Sequence, residues 1–194
     1  MRVRILCLAA VLLLLGCAGT PPVGSFAQQV QPEVTRLPLV IGGKSTEVVA
    51  DIYKPAGAGP FPLVIFSHGR PGTHERAGLR HPIPIGHGNY WLRQGVAVVA
   101  PERPGYGETG GADVEDYGAR WQQGHCVGDP DYARTATNAR GTVLATYEWA
   151  LQQPWVRKDR ILLEGQSVGG MTTIATAALN LPGVVGAVNF SGGA

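Results

Sequence analysis

Arg160-Ile161-Leu162-Leu163-Glu164-Gly165-Gln166-Ser167-Val168-Gly169-Gly170 decides how this chain is read. A short apolar run passes into Gly-x-Ser-x-Gly, and Met171 to Leu179 continue as a helix that Pro182 closes. Strand, glycine-flanked serine and helix, in that order, form the context of a nucleophile elbow. There the hydroxyl of Ser167 stands exposed at the top of a sheet and at the N-terminus of the following helix, whose N–H groups and dipole favour developing negative charge. Gly165 and Gly169 are expected beside it because only glycine tolerates the strained backbone and close approach of so tight a turn. The alternative, in a glycine-rich chain, is a plain glycine-lined turn.

Working upstream, Phe61-Pro62-Leu63-Val64-Ile65-Phe66-Ser67-His68-Gly69-Arg70-Pro71-Gly72 reads as a strand buried on both faces of a parallel sheet and ending in His-Gly. Acyl transfer at Ser167 needs two donors for the oxyanion. One is the backbone N–H of Val168, the residue after the serine, and the other comes from the loop after an early strand. Arg70 is the expected second donor through its backbone N–H, because Pro71 has none. His68 reads as a structural histidine bracing that loop, with a catalytic role as the alternative.

A third run, Val96-Ala97-Val98-Val99-Ala100-Pro101-Glu102-Arg103-Pro104-Gly105-Tyr106-Gly107, lies between these two. With Phe66-Ser67-His68-Gly69 and Gly165-Gln166-Ser167-Val168-Gly169-Gly170, it makes the chain resemble an α/β-hydrolase, nearest the dienelactone-hydrolase-like and esterase/lipase branch. Glu102 stands where that family more often has Asp. The resemblance runs from about Thr46 to the C-terminus. It implies an α/β fold with a mostly parallel sheet and helices on both faces. It also implies a serine hydrolase that acts on a carboxylic ester, less readily an amide or thioester, through an acyl-enzyme at Ser167. It implies neither cofactor nor metal. The opposing expectation is a non-catalytic envelope protein that keeps the scaffold.

The family order of the triad is Ser, then Asp or Glu, then His. No Asp, Glu or His follows Ser167; the last acidic residue is Glu164 and the last histidine is His125. The expectation is a fold incomplete at its C-terminus, with acid and base beyond Ala194, or else an upstream histidine such as His125 or His68 in place of the base. Val184 to Phe190 reads as the strand after the elbow helix. A length of 194 residues suits one domain but is short for a complete hydrolase of this type, and 28 Gly and 15 Pro indicate a loop-rich globular chain.

The N-terminus reads as a targeting segment. Arg2 and Arg4 precede an apolar run from Ile5 to Leu15, too short to span a bilayer. Leu14-Leu15-Gly16-Cys17 resembles a lipobox, which would leave Cys17 to be lipidated and anchor an exported envelope protein to a membrane. The alternative is an ordinary signal cut after Ala27. The expected organisation is a signal over 1–17, a linker over 18–32 and the hydrolase-like domain over 33–194. Lys and Arg number 16 against 14 Asp and Glu, so losing Arg2 and Arg4 leaves a neutral protein with no electrostatic reason to bind nucleic acid. Cys126 is the one cysteine of the domain, with either a partner elsewhere or none, and no Cys/His spacing suggests a metal site.

Val34 to Ile41 and Glu47 to Tyr53 read as an antiparallel pair joined by Gly42-Gly43-Lys44. Asp129-Pro130 reads as a helix start with Asp as N-cap and Pro first in the helix. Tyr132, Ala136, Ala139, Val143, Tyr147 and Leu151 then recur at helical spacing, and Pro154 ends the helix. Thr73 to Tyr90, with His74, His81 and His87, reads as a loop over the site. Tyr117 to His125, with Trp121, reads as a second wall.

Overall fold

The computed structural model describes residues 29–115 and 118–193. Cys17, the rest of the expected signal, and Tyr117 lie outside the described residues. The strands are β1 (Glu33–Ile41), β2 (Lys44–Tyr53), β3 (Phe61–Ser67), β4 (Ala97–Pro101), β5 (Arg120–Gln122), β6 (His125–Val127), β7 (Val156–Gln166) and β8 (Val184–Phe190). The helices are α1 (Ile85–Arg93), α2 (Tyr132–Ala150) and α3 (Val168–Ala177), with a short 3-10 turn at Arg76–Gly78.

Six strands form one sheet in the order β1-β2-β4-β3-β7-β8. β1 pairs antiparallel with β2, and β2 with β4. From β4 through β3 and β7 to β8 every pairing is parallel. The parallel half is built from the apolar runs that read as strands buried on both faces, and Leu63, Val64, Ile65 and Phe66 are all buried. Ile65, Val99, Ile161 and Leu163 face α2 and α3. Val64, Phe66, Val98 and Ala100 face the opposite side, where Trp91 and Leu92 of α1 cover them. Helices therefore lie on both faces.

Local chemistry explains the element ends. Gly42 and Gly43 take φ of 58° and 76°, the two left-handed residues of a tight hairpin, so Lys44 belongs to β2 rather than to the turn. The N-cap of α2 is Asp131, two residues later than Asp129, because its carboxylate accepts the Arg134 N–H at 2.8 Å. Along α2, Ala136, Ala139, Val143, Tyr147 and Ala150 are buried at the expected helical spacing. Thr172 and Thr176 of α3 return their hydroxyls to backbone oxygens four residues earlier, at 2.8 and 2.7 Å, so both are satisfied without water.

The stretch 73–90 is not one loop, since α1 begins at Ile85. Pro82, Pro84, Gly86 and Gly88 hide that helix from propensity, yet Gly88 is there for packing: a Cβ would stand 2.6 Å from the Tyr53 ring. Its three histidines go to separate partners. His74 is exposed near Glu75, His81 Nδ1 lies 2.8 Å from buried Asp51, and His87 packs near the elbow. Within the stretch expected as a second wall, β5 pairs with β6 as a small antiparallel ribbon.

Candidate active site

Ser167 sits between β7 and α3 as the N-cap of α3, with φ 54° and ψ −123°, and is exposed. The left-handed φ is borne by the serine, not by Gly165 or Gly169. Those two glycines answer to space alone. A Cβ on Gly165 would enter the Gly169 carbonyl and stand 2.7 Å from Thr173 Oγ1. A Cβ on Gly169 would collide with the Ser67 carbonyl and lie 2.5 Å from the His68 oxygen. The turn is pinned from both sides: the Ser167 N–H donates to the Phe190 carbonyl at 2.8 Å, and its own carbonyl accepts the Met171 N–H at 3.1 Å.

Val168 and the loop that carries Arg70 both lie at this turn. Val168 is the first residue of α3, where backbone N–H groups lack a partner one turn earlier in the helix. The loop after β3 passes directly beside the serine, with Ser167 Cβ 3.5 Å from the Cβ position of Gly69. Arg70 follows Gly69 in that loop, and its side chain is tied away by Asp113 (Nη2–Oδ2 2.6 Å) and by Glu115. Asp113 also holds Arg76 at 2.6 Å. Burial opposes ionisation of Asp113, but the two arginines outweigh it and keep its carboxyl below the usual aspartate range.

His68 is buried with both ring nitrogens engaged. Nδ1 lies 2.7 Å from the Gly69 carbonyl, and Nε2 is 3.1 Å from the Arg103 backbone nitrogen. Because Nε2 must accept that N–H, the proton is assigned to Nδ1. Burial, and then the charge of Arg103, push the imidazole well below its ordinary value of 6.5. His68 is thus a neutral brace of the loop. His125 lies in β6, exposed, with Nδ1 3.2 Å from the Gln123 carbonyl.

The state of His68 fixes the sign of a pH effect. The unfolded imidazole takes up a proton near its ordinary value, while the folded one resists until far lower pH. Between those points the unfolded chain binds more protons, so stability falls as pH drops below about 6.5. Burial raises Asp51, Glu102 and Glu164 in the folded state, which works in the opposite direction at acid pH. The expected result is therefore a difference. Between pH 7.5 and 5, urea midpoints should fall relative to His68→Gln, with a slope of at most about 1.4 kcal/mol per pH unit. Parallel curves for the two proteins would show that His68 is not buried neutral.

Sequence reasoning missed Glu164 and placed His87 only within a loop over the site. Glu164 lies in the buried end of β7, three residues before the serine. Its Oε2 accepts the Trp91 indole N–H at 2.7 Å. Its Oε1 lies 2.8 Å from His87 Nε2 but off the line of a good hydrogen bond. Burial raises its pKa, against the pull of His87 and Trp91. His87 joins Phe66, Gln166 and Phe190 around a cavity of about 260 Å³ next to the elbow. The one available signal was a carboxylate placed inside an otherwise apolar strand.

The architecture and elbow are those of an α/β-hydrolase fold. Among solved structures, the chain is similar to the α/β hydrolase GrgF from Penicillium sp. sh18, with a TM-score of 0.58 and 17% identity over 82% of this chain and 45% of that one. It is also similar to 2,6-dihydroxy-pseudo-oxynicotine hydrolase, with a TM-score of 0.52 and 22% identity over 79% and 35%. Oligopeptidase B from Trypanosoma brucei gives a TM-score of 0.54 and 15% identity over 81% and 20%. The chain therefore spans less than half the length of these proteins. No protein-family model and no curated protein matches the chain.

Proposed function

We propose that the protein is a serine hydrolase in which Ser167 attacks the carbonyl of a small carboxylic ester, and less readily an amide or thioester. The observation that carries this is the exposed Ser167 at φ 54° and ψ −123°, set at the N-terminus of α3 with the His68-Gly69-Arg70 loop beside it. The hydrolases and peptidases of similar fold support the class of reaction. Ser167 Oγ would bond to the carbonyl carbon as its proton passes to a base. The backbone N–H groups of Val168 and Arg70 would hold the oxyanion, the alcohol would leave with a proton, and water would then release the acid from the acyl-enzyme. The test is fluorophosphonate labelling of the protein expressed from its complete gene. Adduct mapped to Ser167 is the expected result. A folded protein that takes no label would favour the alternative, an envelope protein that keeps the scaffold without catalysis.

Export with a lipid on Cys17 completes this proposal, on the strength of the apolar run and the Leu14-Leu15-Gly16-Cys17 motif. Cys17→Ser should shift the protein out of the membrane fraction. A mature N-terminus at Gln28 would instead establish an ordinary signal peptide.

A further inference from the structure

We propose that Arg103 is the positioning residue of the oxyanion loop, fixing the Gly69–Arg70 peptide so that the Arg70 N–H faces Ser167. This rests on the reading of Ser167 as a nucleophile. Arg103 is fully buried two residues after β4, yet its guanidinium points at the neighbouring loop instead of at solvent. Nη1 donates to the Ser67 hydroxyl at 3.0 Å and to the His68 carbonyl at 2.6 Å. Nη2 donates to the Gly69 carbonyl at 3.0 Å, and the backbone N–H of Arg103 donates to His68 Nε2 at 3.1 Å. Behind it, Nε donates to buried Glu115 at 2.6 Å. Glu115 also binds the Arg70 side chain.

Three consecutive residues are thus gripped by one planar fork. In a trans peptide the carbonyl and the next N–H point in opposite directions. With the His68 and Gly69 carbonyls both turned onto Arg103, the N–H groups of Gly69 and Arg70 must point away from it. The Gly69 carbonyl is held twice, by Arg103 and by His68 Nδ1–H at 2.7 Å. That peptide carries the Arg70 N–H, the donor proposed for the oxyanion. The hold is needed because a peptide next to glycine rotates cheaply. Glu115 holds the Arg70 side chain in the same network as Arg103, so the role proposed for Arg70 falls to its backbone N–H. A lysine would substitute only in part, because an ammonium lacks the flat fork that spans two carbonyls and a carboxylate.

The experiment uses the protein from its complete gene, with p-nitrophenyl acetate as substrate and phenylboronic acid as a mimic of the tetrahedral intermediate. Arg103→Met should lower kcat about 100-fold, the value of one lost oxyanion donor, with KM changed less than about 3-fold. Affinity for the boronic acid should fall by the same factor as kcat/KM, which a merely structural role would not produce. Arg103→Lys, which keeps charge and bulk, should recover part of the loss and decides the matter if Arg103→Met does not fold. Folded Arg103 variants that turn over at the original kcat, or that lose rate without losing boronic acid affinity, would overturn the proposal. If the unsubstituted protein neither hydrolyses the ester nor takes a fluorophosphonate, the reading of Ser167 fails instead.

Discussion

Ser167→Ala is expected to abolish fluorophosphonate labelling and to lower ester hydrolysis by about 10⁴-fold or more in the protein from its complete gene, because the proposed acyl-enzyme forms on the Ser167 hydroxyl. The fold should survive, since Ser167 holds its place through its backbone N–H and carbonyl, which alanine keeps. Ser167→Gly is equally inactive but should behave differently in urea. At φ 54° and ψ −123° any side chain is strained, at a cost of about 1–3 kcal/mol, and glycine escapes it. After glycine's extra entropy in the unfolded chain is subtracted, Ser167→Gly should still exceed Ser167→Ala by about 1 kcal/mol. Labelling that persists in Ser167→Ala would remove Ser167 from the mechanism. Equal stability of the two variants would mean that the turn is not strained.

Gly169→Ala is expected to cost about 4 kcal/mol or more and leave little folded protein. The added Cβ would occupy the space of the Ser67 carbonyl and press on the His68 oxygen, both backbone atoms that no rotamer change can move. Relief requires α3 to back away from β3, which also pulls the elbow from the loop that lies beside it. Gly78→Ala is the matching control: nothing lies within 4 Å of its Cβ position and its φ is not left-handed. It should be neutral within about 0.5 kcal/mol. Circular dichroism and urea midpoints on the two variants check this directly. A Gly169→Ala protein that melts with the unsubstituted one would show that α3 and the loop are not in contact.

The elbow was legible because its constraints are local. A strand, a serine between glycines and a helix are consecutive in sequence, and Gly165 and Gly169 were expected beside the serine. Their reason was only half legible: the strain sits on Ser167, while the glycines yield to carbonyls of β3 and of α3 itself. The edge hairpin was legible for the same reason, since Gly42 and Gly43 need nothing distant. The helix start shifted from Asp129 to Asp131 because two acidic residues competed and only the geometry of the Arg134 N–H chose between them. Helix α1 was hidden, since glycines and prolines weaken its local signal and its support comes from Tyr53, more than thirty residues away.

Periodicity and turn chemistry in the sequence by themselves determined the parallel strands and the elbow with Ser167 at its tip, and left His68 open between a brace and a base. Only the tertiary structure decided what His68 braces against, and that Arg103, Glu115 and Arg70 form one buried network under the loop. The physical reason is range. A strand or tight turn is set by neighbours along the chain, whereas a guanidinium's partners are set by which carbonyls the packed sheet happens to bring within hydrogen-bond distance, here 34 to 36 residues upstream.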